Sequence, residues 1–166
     1  MRFTYRLAAS QDLELIWNKN IAENPEDARW VHWKEEYIHY NKTGMARTFV
    51  VVYGEEPVGE CTLILSPECN AVRGRAELAD GEKVANINAL RIAKEYEGQG
   101  HISKLVACVE DCAKEQGITA LTIGVEAKET RNLAIYLHWG YDTFVMSETE
   151  DNELVLYYRK ELRSRF

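Results

Sequence analysis

Two stretches of this chain hold residue types whose spacing could do chemistry. The first is Glu97-Gly98-Gln99-Gly100, followed by His101, Ile102 and Ser103. It stands between a strand, Val84 to Ile92, and a helical run with Leu105, Val106, Val109, Cys112 and Ala113 on the face of Ile102. A strand, a glycine-rich turn and a helix start together make an anion site. The first amides of the helix lack internal partners, the dipole is positive there, and glycine lets the backbone approach phosphate oxygens. The same pattern also serves as a plain strand-to-helix connection. No Gly-Lys-Ser/Thr follows, so it is not a Walker loop, and the third glycine of a dinucleotide fingerprint is missing. The second stretch runs Arg131-Asn132-Leu133-Ala134-Ile135-Tyr136-Leu137-His138-Trp139-Gly140-Tyr141. Read from the residues alone, Asn132 can cap a helix and Tyr136 can pack on an amphipathic face.

Other candidates are weaker. Cys108 and Cys112 stand four apart on a helix and could turn two thiolates to a metal. No histidine pair or second thiol pair completes such a site, so we expect no metal and read the four cysteines as reduced, buried thiols. Before the glycine turn stands Asn86-Ile87-Asn88, and neither amide is a useful base. Glu77, Asp80 and Glu126 are the nearby carboxylates, and a water chain to bulk is the other route for a proton.

The elements that must position these residues follow from periodicity. Phe3 to Leu7 alternates as a strand. Ser10 caps a helix carrying Leu13, Ile16 and Trp17. Asn24-Pro25 starts a second helix that sets Trp30, Trp33, Tyr37 and Tyr40 at helical spacing and closes at Gly44. Arg47 to Tyr53 and Val58 to Leu65 form a hairpin about the turn Gly54 to Pro57. Ser66 to Lys83 is irregular. After the glycine turn and its helix, ended by Gly117, come a strand at Ala120 to Val125 and a short helix at Asn132 to Trp139. Strands at Tyr141 to Met146 and Glu153 to Arg159 close the chain. The order β-α-α-β-β-β-α-β-α-β-β predicts an α/β (α+β) domain spanning residues 1–166. Its sheet is mixed and mostly antiparallel, of about six to seven strands, with helices on both faces.

The 166 residues carry 20 Lys+Arg against 27 Asp+Glu, a formal charge of −7, and 46 % are hydrophobic. A chain so acidic repels phosphate backbones and anionic lipid heads, so no nucleic acid and no membrane is expected as a partner. The basic tail Arg159, Lys160, Arg163 and Arg165 reads as a solvated end. With no apolar signal region and no run of eighteen apolar residues, the expectation is a cytoplasmic protein.

The two chemical stretches resemble the GNAT superfamily of acyl-CoA-dependent N-acyltransferases. Tyr96 to Leu105 matches its glycine-rich turn, and Asn132, Ala134, Tyr136, Gly140 and Tyr141 match its second, more specific motif. The resemblance implies the fold of that family, acetyl-CoA as cosubstrate and a small-molecule amine as acceptor. It gives the CoA pyrophosphate to Glu97, Gly98, Gln99, Gly100, His101, Ile102 and Ser103, and the thioester and pantetheine to the backbone of Leu90, Arg91 and Ile92. Asn132 would bond the cofactor and Tyr136 would serve the departing thiolate. The chain departs from the family where Glu97 replaces Arg or Gln and Ile102 replaces Gly or Ala. The resemblance also sets the acceptor near Trp30, Trp33 and Asn88. Aromatics there, with Glu23, Glu26, Asp27, Glu35 and Glu36, would suit a cationic amine. The other readings are a catalytically silent acyl-CoA-binding or regulatory module of the same fold and an interaction domain that no longer binds CoA. A homodimer is left open.

Overall fold

The computed structural model describes residues 2–163. The elements are β1 (Phe3–Leu7), α1 (Ser10–Glu23), α2 (Arg29–Thr43), β2 (Ala46–Tyr53), β3 (Glu56–Ile64), β4 (Val84–Ile92), α3 (His101–Glu115), β5 (Ala120–Glu126), α4 (Thr130–His138), β6 (Thr143–Glu150) and β7 (Glu153–Glu161). A 3-10 turn covers Lys94–Tyr96. Among the described residues seven strands form one mixed sheet in the order β1-β2-β3-β4-β5-β7-β6. β1 and β2 are antiparallel, β4 and β5 parallel, and β7 is antiparallel to both β5 and β6. This is the element order read from the periodicity. No helix among the described residues is long and apolar enough to cross a membrane.

The chain clusters into two compact units, Met1–Leu63 with Ala89–Val109, and Ile64–Asn88 with Glu110–Phe166. In the first unit, Leu13, Ile16, Trp17 and Asn20 are buried along one stripe of α1, the i, i+3, i+4, i+7 pattern of an amphipathic helix. β3 is buried at every position after Glu56. A strand so enclosed makes any charge on it conspicuous, and Glu60 sits at its middle. In the second unit, the segment after β3 has no regular structure, yet Cys69, Val72, Leu78 and Ala79 on it are fully buried. The Asp80 carboxylate closes its last turn by accepting the amides of Glu82, Lys83 and Val84 at 2.8–2.9 Å.

Local departures from expectation have simple causes. Ser10 does not cap α1. The cap position is Ala9, which has no side-chain acceptor, and Asp12 reaches back to the Ala9 amide at 2.7 Å. Asn24-Pro25 does not start α2. The Asn24 amide bonds Ile21 O and its carbonyl takes the Asp27 amide, so the segment is a turn. α2 begins at Arg29, whose amide donates to the Asp27 carboxylate at 3.1 Å. The β2–β3 turn narrows to Gly54-Glu55, with Pro57 inside the strand. Arg159 and Lys160 are not a solvated tail but lie on β7, paired with Glu161 and Glu110. Arg165 lies outside the described residues.

Candidate active site

The glycine-rich turn belongs to the first unit. β4 leads into it, and the β4–β5 ladder runs from Val84↔Ala120 to Ile87↔Ile123. Two residues on, Ala89 has φ +51, a left-handed conformation that breaks the extended strand and costs an L-residue roughly 1–2 kcal/mol. Leu90, Arg91 and Ile92 follow, half-buried. Gly98 and Gly100 have φ of +75 and +86, and a Cβ at either would meet nothing within 4 Å. Glycine is therefore needed there for the backbone's conformation, and space above the turn is open to a ligand. α3 starts at His101, and the Lys104 amide makes the bond back to Gly100 O. The amides of His101, Ile102 and Ser103 precede that bond and point out of the helix start.

The side chains around the turn go in different directions. Glu97, Gln99 and Ser103 are exposed, and Ile102 is half-buried. The His101 imidazole is 5 % exposed and withdrawn into an aromatic cluster. Phe3 lies 4.2 Å from it between ring centroids, Tyr96 meets it edge-on, and its Nδ1 stands 2.5 Å from Tyr5 Oη. Burial, with the Lys104 charge adding to it, pulls its pKa below the usual imidazole range. What His101 offers the turn is its main-chain amide. The Lys104 ammonium lies over the Tyr5 ring.

Arg91 turns its side chain to α1 and α2. The guanidinium lies 5.3 Å from the Trp17 ring and 4.9 Å from the Trp30 ring, and Nη1 donates to Glu60 Oε2 at 3.1 Å. Asn20 Nδ2 donates to the same oxygen at 2.9 Å. Glu60 is wholly buried. Burial pushes its carboxyl upward in pKa, against the pull of Arg91 and the Asn20 hydrogen bond. Three buried side-chain polar atoms among the described residues lack a protein partner: Trp17 Nε1, Glu60 Oε1 and His101 Nε2. An unsatisfied buried polar group costs about 1–3 kcal/mol. The aromatic stripe of α2 divides, since Tyr37 and Tyr40 are core while Trp30 and Trp33 are half-buried. One face of Trp33 is taken by Arg29, itself paired to Asp27.

The second unit carries α4. Asn132 is exposed at the third position of this helix, whose cap is Glu129, so it is not the capping residue. Tyr136 is half-buried with its ring 5.8 Å from Trp139, and its carbonyl accepts the Tyr141 amide. Gly140 ends the helix at φ +98. Tyr141 is buried and donates to Glu110 at 2.7 Å, and Lys160 completes that group. Asn86 is buried, giving its amide hydrogens to Thr122 Oγ1, which donates to Leu78 O. Asn88 is half-buried and bonds Asn86 at 3.3 Å. Glu77 is exposed, Asp80 is committed to its turn, and Glu126 pairs with Lys128 at 3.6 Å. Arg75 stacks on Tyr157 and pairs with Glu148 and Glu150. Burial and the Glu150 hydrogen bond push the Tyr157 phenol up to about 12.

The residue that sequence reasoning passed over is Glu60. A carboxylate inside the unbroken buried run from Pro57 to Ile64 was the signal.

Comparison with solved structures gives the same fold. An N-acetyltransferase from Staphylococcus aureus superposes with TM-score 0.70 at 13 % identity, covering 98 % of this chain and 100 % of that one. A GNAT family acetyltransferase from Elizabethkingia anophelis with acetyl-CoA bound gives 0.64 at 15 %, covering 96 % and 98 %. A chimera of the Vibrio cholerae spermidine N-acetyltransferase gives 0.69 at 19 %, covering 98 % and 96 %. Among curated proteins no sequence relative matches. Residues 10–141 match the Acetyltransferase (GNAT) family, and the chain belongs to that family.

Proposed function

We propose that this chain transfers the acetyl group of acetyl-CoA directly to the primary amine of a small acceptor. The observation that carries the reading is the Gly98–Gly100 turn, left-handed at both glycines, open above, and leading into the first amides of α3. Such a turn fits a pyrophosphate whatever side chains flank it, and the exposed Glu97 carboxylate has water to turn to.

Acetyl-CoA supplies an activated acyl group on a thiol leaving group. The amine nitrogen forms the new C–N bond as the C–S bond breaks, the amine gives up a proton, and the thiolate takes one. The amides of Gly98 to Ser103 hold the pyrophosphate, and those at Leu90 to Ile92 pair the pantetheine and stabilise charge on the thioester oxygen. Asn132, exposed and not needed as a cap, bonds the cofactor. Tyr136 donates to the thiolate. An ordinary phenol, of pKa about 10, is a weaker acid than a thiol, of about 8.5, so a strong hydrogen bond is the larger part of that role. The acceptor arrives as an ammonium, drawn by the −7 charge and the acidic residues of α2, and sheds one proton to water before its nitrogen can attack; the proton lost as the amide forms balances the one the thiolate takes, and spermidine acetylation on the same fold is in keeping with such an acceptor.

The test is acetyl-CoA-dependent thiol release over a panel of polyamines, aminoglycosides and amino acids. Release with at least one amine is expected. Tight acetyl-CoA binding by calorimetry with no release from any amine would replace this reading by the silent binding module.

A further inference from the structure

Arg91 is built differently from a surface arginine. Two indoles hold its guanidinium, and a wholly buried carboxylate, itself oriented by Asn20, fixes Nη1. The residues that hold it also carry two of the three orphan buried polar atoms, Trp17 Nε1 and Glu60 Oε1. A guanidinium has five N–H donors in a planar fork, and Glu60 takes one of them at 3.1 Å. The Arg91 side chain is 34 % exposed, so a group otherwise locked is not sealed from a ligand. Stacking and the ion pair remove its rotamer freedom before any ligand arrives, the preorganisation that favours bidentate capture of a carboxylate. Arg29 and Arg91 already cover one face each of Trp33 and Trp30, which disfavours these rings as a cage for a bare cation. Arg91 also stands on the strand segment whose backbone the proposed reaction uses.

We propose that the Arg91 guanidinium, clamped by Glu60, Trp17 and Trp30, recognises a carboxylate on the acceptor, which makes the acceptor an amino acid or a similar small amine carrying a carboxylate. This rests on the acetyltransferase reading and narrows its substrate class. Arg91 is then the specificity-determining residue, and Glu60 and the two indoles are positioning residues acting through it.

Tryptophan fluorescence tests it, because the guanidinium lies against two indoles. The full chain is titrated with matched pairs of α- and ω-amino acids and their carboxamides, which differ only in the carboxylate. At least one acid should bind tenfold or more tightly than its amide. Arg91→Gln should abolish that preference. So should the double variant Glu60→Gln/Arg91→Gln, which removes both charges together and leaves no buried charge unpaired. Acetyl-CoA affinity of each variant is measured alongside by calorimetry, because the backbone of Arg91 lies in the proposed cosubstrate site. Equal binding of acids and amides, binding of no acid, or a preference that survives in the double variant would overturn the proposal. A tenfold loss of acetyl-CoA affinity with the preference intact would overturn it too, by giving the guanidinium to a phosphate of the cosubstrate. Acid-selective binding without acetyl transfer to any acid would defeat the acetyltransferase reading alone.

Discussion

The two units of this chain differ in how completely their buried polar groups are matched. In the second, the interior polar groups close on one another. Asn86 bonds Thr122, Thr122 bonds Leu78 O, Tyr141 and Lys160 share Glu110, and Arg75 ties Tyr157 to Glu148 and Glu150. In the first, the three orphan atoms and the Arg91–Glu60 pair remain incompletely matched. Satisfied networks rigidify a scaffold, whereas unmatched ones cost stability and keep it available for a ligand. The difference teaches that the unmatched buried polar atoms among the described residues gather in the first unit, where the proposal above puts acceptor recognition.

The largest expected effect breaks the comparison most directly. Arg91→Ala leaves the wholly buried Glu60 carboxylate without its ion partner and should cost about 3–5 kcal/mol. Glu110→Ala in the second unit, where the carboxylate is 17 % exposed and water can replace it, should cost about 1.5–3 kcal/mol, the range for hydrogen bonds to charged groups. Urea unfolding of both variants checks the order. A larger loss at Glu110 would mean that the second unit, not the first, holds the costly charge.

Tyr136→Phe asks whether the second unit contributes chemistry despite its closed interior. It should lower kcat by roughly tenfold to a thousandfold with acetyl-CoA affinity nearly unchanged. Steady-state kinetics with any amine that turns over decides it, and full activity in the Phe variant removes Tyr136 from the mechanism.

Two glycines sharpen the contrast further. A Cβ at Gly59 would stand 2.8 Å from Val51 Cγ1 and 2.9 Å from the Arg91 carbonyl, and one at Gly124 would stand 2.7 Å from the Tyr157 ring. Each alanine variant should lose about 1–3 kcal/mol by overpacking, which is about 2–4 °C in Tm per kcal/mol. Only Gly59→Ala should also weaken acceptor binding, since the backbone it displaces is that of Arg91.

The smallest effect concerns the turn. Glu97→Arg reverses an exposed charge beside Gly98 and should tighten acetyl-CoA by about 1–2 kcal/mol at low salt, with less gain for an analogue lacking the phosphates. Calorimetry on both proteins measures it. Unchanged affinity would show that position 97 faces water in the complex as well.

What could be read without coordinates was what repeats locally. Alternation in Phe3 to Leu7 and in Leu121, Ile123, Val125 marked strands, and the glycines at 98, 100 and 140 marked turns and a helix end, where the structure has left-handed φ. Errors came where two local signals competed. Asn24-Pro25 is a fair helix start by residue type, but the end of α1 claimed the Asn24 amide first.

The sequence by itself determined the element order, the family and the positions of the glycine turn and the α4 motif, because these depend on period and on residues adjacent in the chain. Only the tertiary structure decided which charges meet. Glu60 and Arg91 are 31 residues apart on different strands, and Trp17 and Trp30 come from two further helices. No periodicity encodes that meeting. It arises when the buried strand and both helices pack, leaving Glu60 no water to face and the Arg91 guanidinium as the nearby charge that can offset its own.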